Sequence, residues 1–289
     1  MTDAERRILI GYTATPAGED ALALGVRLAT ALGAGLDVVL VLPDSSRPTL
    51  VPNDPAYDAY LRDTAEGWLA EARTRVPATL DARMRLVRGD SLAQGLLAAA
   101  EHSAAALVII GAARDGLLGR FTVGSVAGSL LHASPIPVLL APEGSRAVTV
   151  PVSRVTAMVG TRAGADAVVA TSARLASAAN IPLRLVSLLA LDLPSGLDAG
   201  SAKQRGEAHA AQVLAEAAAA LPEGVEATAS VAPGDSVADA VAHLDWQPGE
   251  LVVVGSSRLA QPSRLFLGTT AAIMLRELPV PMIVVPREA

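Results

Sequence analysis

The sequence predicts two tandem α/β domains of one plan, each a doubly wound parallel sheet of five strands with helices on both faces. Two observations carry that expectation. The chain repeats itself: Gly89-Asp90-Ser91-Leu92-Ala93 returns as Gly234-Asp235-Ser236-Val237-Ala238, and Leu107-Val-Ile-Ile-Gly111 returns as Leu251-Val-Val-Val-Gly255. Within each copy, short continuous apolar runs alternate with helical periodicity, as in strands buried on both faces of a parallel sheet. Parallel neighbours need right-handed crossovers, and those crossovers put helices on both faces.

The repeat extends through most of each half. Pro16-Ala-Gly-Glu-Asp-Ala-Leu corresponds to Arg162-Ala-Gly-Ala-Asp-Ala-Val, and Pro135-Ile-Pro137 to Pro279-Val-Pro281. The second copy trails the first by 146 residues at Pro16 and Arg162 and by 144 at Pro135 and Pro279. A period this long marks duplicated domains rather than a solenoid of short units. The polar, glycine-containing segment Glu143–Ala147 separates them, giving a first domain over 1–143 and a second over 148–289.

In the first copy Ile8–Gly11 reads as a strand, and Thr15-Pro16 as a helix start with proline in the first turn. Ala21, Leu22, Leu24, Val26, Leu28 and Ala29 continue at helical spacing. Val38–Leu42 is a β-branched run ending at Pro43, followed by a polar loop and a helix over about Tyr57–Arg75. Ala82–Val87 is a third strand, and Asp90-Ser91 offers side-chain oxygens to the free N–H groups of a third helix. Leu107–Ile110 is a fourth strand, then come a glycine-bearing loop, a short helix from Gly124 and a last strand at Val138–Leu140. In the second copy Ala199–Leu221 is an Ala-rich helix whose charges, among them Lys203, Arg205, Glu207 and Glu216, favour an exposed position. In sheets of this type ligands bind beyond the carboxyl ends of the strands at the switch in strand order. The loops after the first and fourth strands are therefore where chemistry is expected.

Composition narrows the function. Aromatics are 2% of the chain and the net charge is −6, which argues against stacking on bases and against binding a phosphate backbone. There is no cysteine, so disulfides, thiolate metal sites and thiol catalysis are excluded. The longest mostly apolar span, Ala21–Leu42, carries Arg27 and Asp37 and is broken by Gly33 and Gly35, unlike a membrane helix. The start shows no targeting segment, and the expectation is a cytoplasmic protein. The four histidines, His102, His132, His209 and His243, have no metal-ligand spacing. His102 and His132, late in their helices, read as dipole partners. No segment reads G-x-x-x-x-G-K-[ST], and no dinucleotide fingerprint follows the first strand, where Gly11-Tyr-Thr-Ala-Thr-Pro stands.

The loop after the fourth strand reads Gly111-Ala-Ala-Arg114, then nine residues, then Gly124-Ser125-Val126; its repeat reads Gly255-Ser-Ser-Arg258, then nine residues, then Gly268-Thr269-Thr270. This resembles the ATP-binding loop of the universal stress protein family, in which Gly, two residues, Gly, nine residues and Gly precede Ser or Thr. The paired Pro-x-Pro strands and the order of elements agree, over nearly all of both halves. The resemblance implies Rossmann-like domains with strand order 3-2-1-4-5. It implies an adenine nucleotide, ATP foremost, with or without Mg²⁺, at Gly111, Arg114, Gly124, Ser125 and Val126 and at Gly255, Arg258, Gly268, Thr269 and Thr270. It also implies a binding protein in stress response rather than an enzyme, with the last strands, Val138–Leu140 and Met282–Val285, pairing the halves as a pseudo-dimer. Such chains could associate again as homodimers.

The physical logic is general: a bare glycine permits close approach, and a helix start offers N–H groups and the positive end of a dipole to phosphate. The chain departs from the pattern at two places. Arg114 and Arg258 replace the second glycine, and the family's first-strand Asp falls on Thr13 and, by the repeat offset, on Val159. These departures set a second reading beside the first, a ligand-free scaffold acting through protein partners and dimer contacts. Arg120 and Arg264 read either as phosphate neutralisers or as solvated cations, with Phe121 and Leu265 anchoring the loops. Asp44–Pro55 is either a lid or an ordinary connection. A third reading, a serine hydrolase using Ser91 within Gly89-Asp90-Ser91-Leu92, ranks last. The tetrapeptide follows the third strand, and His243 lacks an Asp three residues before it.

Overall fold

Each apolar run read from the sequence is a strand. The computed structural model describes residues 7–44, 54–112, 124–160, 165–190, 199–257 and 265–286. They form two compact units; the main body of one ends at Thr149 and that of the other begins at Val150.

The first unit runs β1 (Arg7–Gly11), α1 (Pro16–Leu32), β2 (Gly35–Pro43), α2 (Pro55–Thr74), β3 (Ala82–Gly89), α3 (Leu92–His102), β4 (Ala105–Gly111), α4 (Ser125–Ala133) and β5 (Val138–Ala141). Its strands are parallel in the order β3-β2-β1-β4-β5. The second unit runs β6 (Arg154–Met158), α5 (Ala165–Ala179), β7 (Leu183–Ala190), α6 (Ala199–Ala219), β8 (Ala227–Gly234), α7 (Val237–Ala242), β9 (Glu250–Gly255), α8 (Thr269–Glu277) and β10 (Met282–Val285). Its strands, also parallel, lie in the order β8-β7-β6-β9-β10. In both units the order reverses between the first and fourth strands, so a switch point opens at their carboxyl ends.

Local chemistry sets the helix boundaries. The Thr15 hydroxyl accepts from the Gly18 N–H at 3.3 Å, Pro16 sits in the first turn, and Gly33 at φ 61° ends α1 in the left-handed region that glycine favours. Ser91 accepts from the Gln94 N–H at 3.2 Å and Ser236 from the Asp239 N–H at 3.1 Å. The serines of both Gly-Asp-Ser segments are therefore helix caps, each contributing about 1 kcal/mol.

Some charged residues inside the strands are buried in ion clusters. In the first unit the Arg7 guanidinium reaches Asp37 at 2.8 Å, Asp81 at 2.5 Å and the Leu36 carbonyl at 2.6 Å, while Asp37 is fully buried. In the second, fully buried Glu250 accepts from Arg154 at 2.6 Å, Arg184 at 2.8 Å and the Thr156 hydroxyl. Arg184 also lies over the Trp246 ring, 5.1 Å from its centroid.

The segment expected as a bare link is partly structured. Ser145–Ala147 forms a 3-10 turn, and buried Asp20 of α1 accepts from the Gly144 N–H at 3.0 Å and the Arg146 N–H at 2.9 Å. The Arg146 guanidinium donates to the Pro16 carbonyl at 2.9 Å. This turn is thereby fastened to the first helix of its own unit.

Candidate functional site

At the switch point of the first unit, β1 and β4 run in register, with Ile10 opposite Ile109. Beyond β1 the chain folds tightly onto the start of α1: a Cβ added to Gly18 would lie 1.9 Å from the Thr13 carbonyl oxygen. Thr13 is exposed, and its hydroxyl lies 2.9 Å from that of Thr15. A Cβ added to Gly111 would lie 2.0 Å from the Ala17 carbonyl oxygen, so the bareness of Gly111 lets the first turn of α1 press against the end of β4. The structure thus brings Thr13 and Gly111 to one place through Ala17 and Gly18.

Gly124 stands just before α4, and its carbonyl accepts from the Gly128 N–H at 2.8 Å. Among the described residues nothing lies within 4 Å of its would-be Cβ. Ser125 is exposed and Val126 half-buried. Arg114, Arg120 and Phe121, like Arg258 and Arg264 of the second copy and most of Asp44–Pro55, lie outside the described residues.

Beneath the first loop, the buried Tyr12 hydroxyl donates to Glu19 at 2.6 Å, and Glu19 accepts from Arg75 at 2.5 Å. Burial, and then the bond to the Glu19 carboxylate, push the Tyr12 phenol up to about 12. A raised tyrosine pKa means the fold prefers the neutral phenol. Its contribution to stability is complete below the ordinary value of about 10 and is lost as pH rises through about 12. In an ultraviolet titration Tyr12→Phe is expected to remove the step near pH 12; loss of a step at about pH 10 instead would place that phenol in water.

The second unit closes its loop differently. Gly255 ends β9, and the Ser256 hydroxyl accepts from the Phe266 N–H at 2.7 Å and lies 3.1 Å from the Phe266 carbonyl oxygen. The Ser257 N–H donates to the same carbonyl at 2.8 Å. Gly268 precedes α8, and its would-be Cβ lies 3.1 Å from the Ser257 Cβ and 3.3 Å from its Oγ. Thr269 and Thr270 are exposed, and Leu265 is buried, as an anchoring side chain would be. Ser256, Ser257 and Phe266 belong to no motif in the sequence; their one signal there is the replacement of Ala112-Ala113 by a hydroxyl pair in the second copy.

One correspondence needs correction. Ile8 is in register with Leu36 and Leu107, as Val155 is with Leu183 and Leu251. Tyr12 N–H bonds the Val39 carbonyl, as Val159 N–H bonds the Val186 carbonyl, both at 2.8 Å. Val159 is thus the counterpart of buried Tyr12, and the position matching Thr13 is exposed Gly160. The offset carried back from Arg162 missed a one-residue shortening of the loop.

Elsewhere in the second unit an open groove of about 590 Å³ lies beside the ends of β7 and β8, lined by Leu189, Val231, Pro233, Asp235, Asp239 and His243. It is at the third strand of that unit rather than at the switch point. Among the described residues no group of three or more acidic or histidine side chains could hold a metal ion, and no helix is long and apolar enough to cross a membrane.

Comparison with known proteins agrees with this geometry. The profile of the universal stress protein family matches residues 5–142 and 152–286. Universal stress proteins of Mycobacterium tuberculosis and Mycobacterium bovis are each 28% identical over 289 residues, covering 96% of this chain and 99% of theirs. Among solved structures, a universal stress protein from Archaeoglobus fulgidus superimposes with a TM-score of 0.71 at 18% identity, over 97% of this chain and 98% of that one. A functionally unknown protein from Pseudomonas aeruginosa gives 0.61 at 18% identity, over 99% and 94%. At such identities the structural likeness speaks to fold alone.

Proposed function

The chain belongs to the universal stress protein family, and from that premise we propose that its first unit binds an adenine nucleotide, ATP foremost, in a binding and regulatory role in stress response. The observation that carries the reading is Gly124. It stands just before the first turn of α4, where free N–H groups and the helix dipole favour phosphate. Exposed Ser125 adds a hydroxyl, and Val126 follows in the same first turn. Thr13 supplies a hydroxyl at the end of β1 on the adenosine side, in place of the family's carboxylate. Arg114 adds a cation in this scheme, and Mg²⁺ would accompany the phosphates. No residue is assigned a catalytic role. Pairing of the halves through their last strands, association as homodimers and a cytoplasmic location belong to the same proposal.

The test is the melting temperature of nucleotide-stripped protein titrated with ATP, ADP and AMP, with and without Mg²⁺. Ligand at about 100 times its dissociation constant adds roughly 2.7 kcal/mol to the unit that binds it. A dose-dependent rise that Gly124→Arg removes is the expected result. A flat response to millimolar nucleotide would overturn it in favour of the scaffold reading, whose motivation is the loss of the first-strand Asp and of the second motif glycine, replaced by Arg114 and Arg258, in both copies.

A further inference from the structure

We infer that β8, the outer strand of the second unit, is the face through which two copies of the chain associate, antiparallel about a two-fold axis that sets Ala229 opposite Ala229. The inference rests on the homodimer reading and assigns its contact; it is independent of nucleotide binding.

A strand at the edge of a sheet offers its outward N–H and C=O groups to any second strand. Among the described residues β8 bonds to β7 alone, and it ends the strand order of its unit. Leu183, in register with Ala227, donates its N–H to the Glu226 carbonyl at 3.0 Å. Alternate residues of a parallel strand turn these groups to opposite sides, so Glu226, Thr228, Ser230 and Ala232 address β7. Ala227, Ala229, Val231 and Pro233 turn theirs outward, and an outward position is where a strand tolerates a proline. Ala227, Thr228, Ala229 and Ser230 are all exposed, and Val231 is half-buried.

Charge and size decide which strand this edge accepts. The eight residues of β8 carry no charge, and their side chains are small. In the first unit the outer strand β3 holds Arg83, Arg85 and Arg88, charges of the kind that keep an edge from pairing with its own copy. β8 laid against β8 opposes no like charges within the strand. With the axis at Ala229, Ala227 falls opposite Val231, so outward residues meet only outward residues and each pair exchanges both N–H···O=C bonds. Thr228 then faces Ser230, a hydroxyl pair that favours antiparallel neighbours. This register uses only residues that possess both backbone groups; one centred at Ser230 draws in Pro233, which has no N–H to give.

The experiment is sedimentation of the full chain at concentrations up to about 100 µM, in three forms: wild type, Ala229→Pro, and Thr228→Lys with Ser230→Lys. The proline takes away an outward N–H and no bond to β7, and the two lysines set like charges opposite each other across the axis. The expected result is a reversible wild-type dimer whose dissociation constant rises roughly tenfold or more in both variants, with melting temperatures unchanged. Amide exchange on the wild type, dilute against concentrated, reads the contact directly: Ala227, Ala229 and Val231 should gain protection as the dimer forms, which decides the matter should a variant melt early. A wild-type chain that stays monomeric throughout overturns the contact and the homodimer reading together, and leaves the edge to an extended segment of another protein. A dimer that both variants keep at full strength, or one in which these amides gain no protection, overturns the contact alone.

Discussion

Glu250→Ala is expected to lower the stability of the second unit by about 3–5 kcal/mol, the usual cost of removing one partner from a buried ion cluster. Glu250 is fully buried, with the side chains of Arg154 and Arg184 only 16% and 11% exposed. Without the carboxylate two guanidinium groups face each other in the interior with only the weaker charge of Asp245 to oppose them. Burial already pushes Arg184 down and the like charge of Arg154 adds to that, with Glu250 opposing both. The Thr156 hydroxyl and the Gln247 N–H, at 3.0 Å from the carboxylate, lose their acceptor as well. Hydrogen exchange resolved by peptide reads the effect: β6, β7 and β9 should lose protection while β1 and β4 keep theirs. Replacing Glu250, Arg154 and Arg184 together by apolar residues of similar volume should recover most of the loss, because no buried charge is then left unpaired. Equal loss of protection in both units would contradict this assignment.

Gly111→Val is expected to cost about 3 kcal/mol in protein free of any ligand, the upper end of what overpacking costs. The new Cβ would lie 2.0 Å from the Ala17 carbonyl oxygen and 2.4 Å from its carbon, both backbone atoms that no rotamer change can move. The first turn of α1 has to leave β4, and the Thr15 cap goes with it. Gly124→Ala is the control, since nothing described lies within 4 Å of the added carbon. Its stability should stay within about 0.5 kcal/mol of wild type. If Gly111→Val melts with the wild type, the close packing of α1 on β4 is wrong.

What could be read from the sequence was local. Strand runs such as Leu107–Ile110, the Thr15-Pro16 start and the Ser91 cap depend on neighbours a few residues away, and each stands where the pattern put it. The ion clusters depend on partners 30 and 96 residues apart, at Arg7–Asp37 and Arg154–Glu250, so periodicity could not show them. Asp37 read simply as a charge within an apolar span, yet it is among the most deeply buried residues. The same limit governed the site. Its glycines and helix starts were legible as a motif, because spacing alone defines them. That Gly111 accommodates Ala17, that Ser256 engages Phe266 and that Gly160 rather than Val159 matches Thr13 emerge only once strand register and loop closure are fixed in space.

The Asp20 clasp on the turn at Ser145–Ala147 also bears on how the first unit answers mechanical force. A chain drawn taut from a short terminal strand peels that strand away one bond at a time, and β5 has only four residues. Tension entering at Thr149 meets the clasp before it meets β5 and is diverted into α1, a helix of 17 residues set against β1 and β4. Asp20 is in that sense a strain relief, of the kind that keeps a pulled cable from parting at its connector.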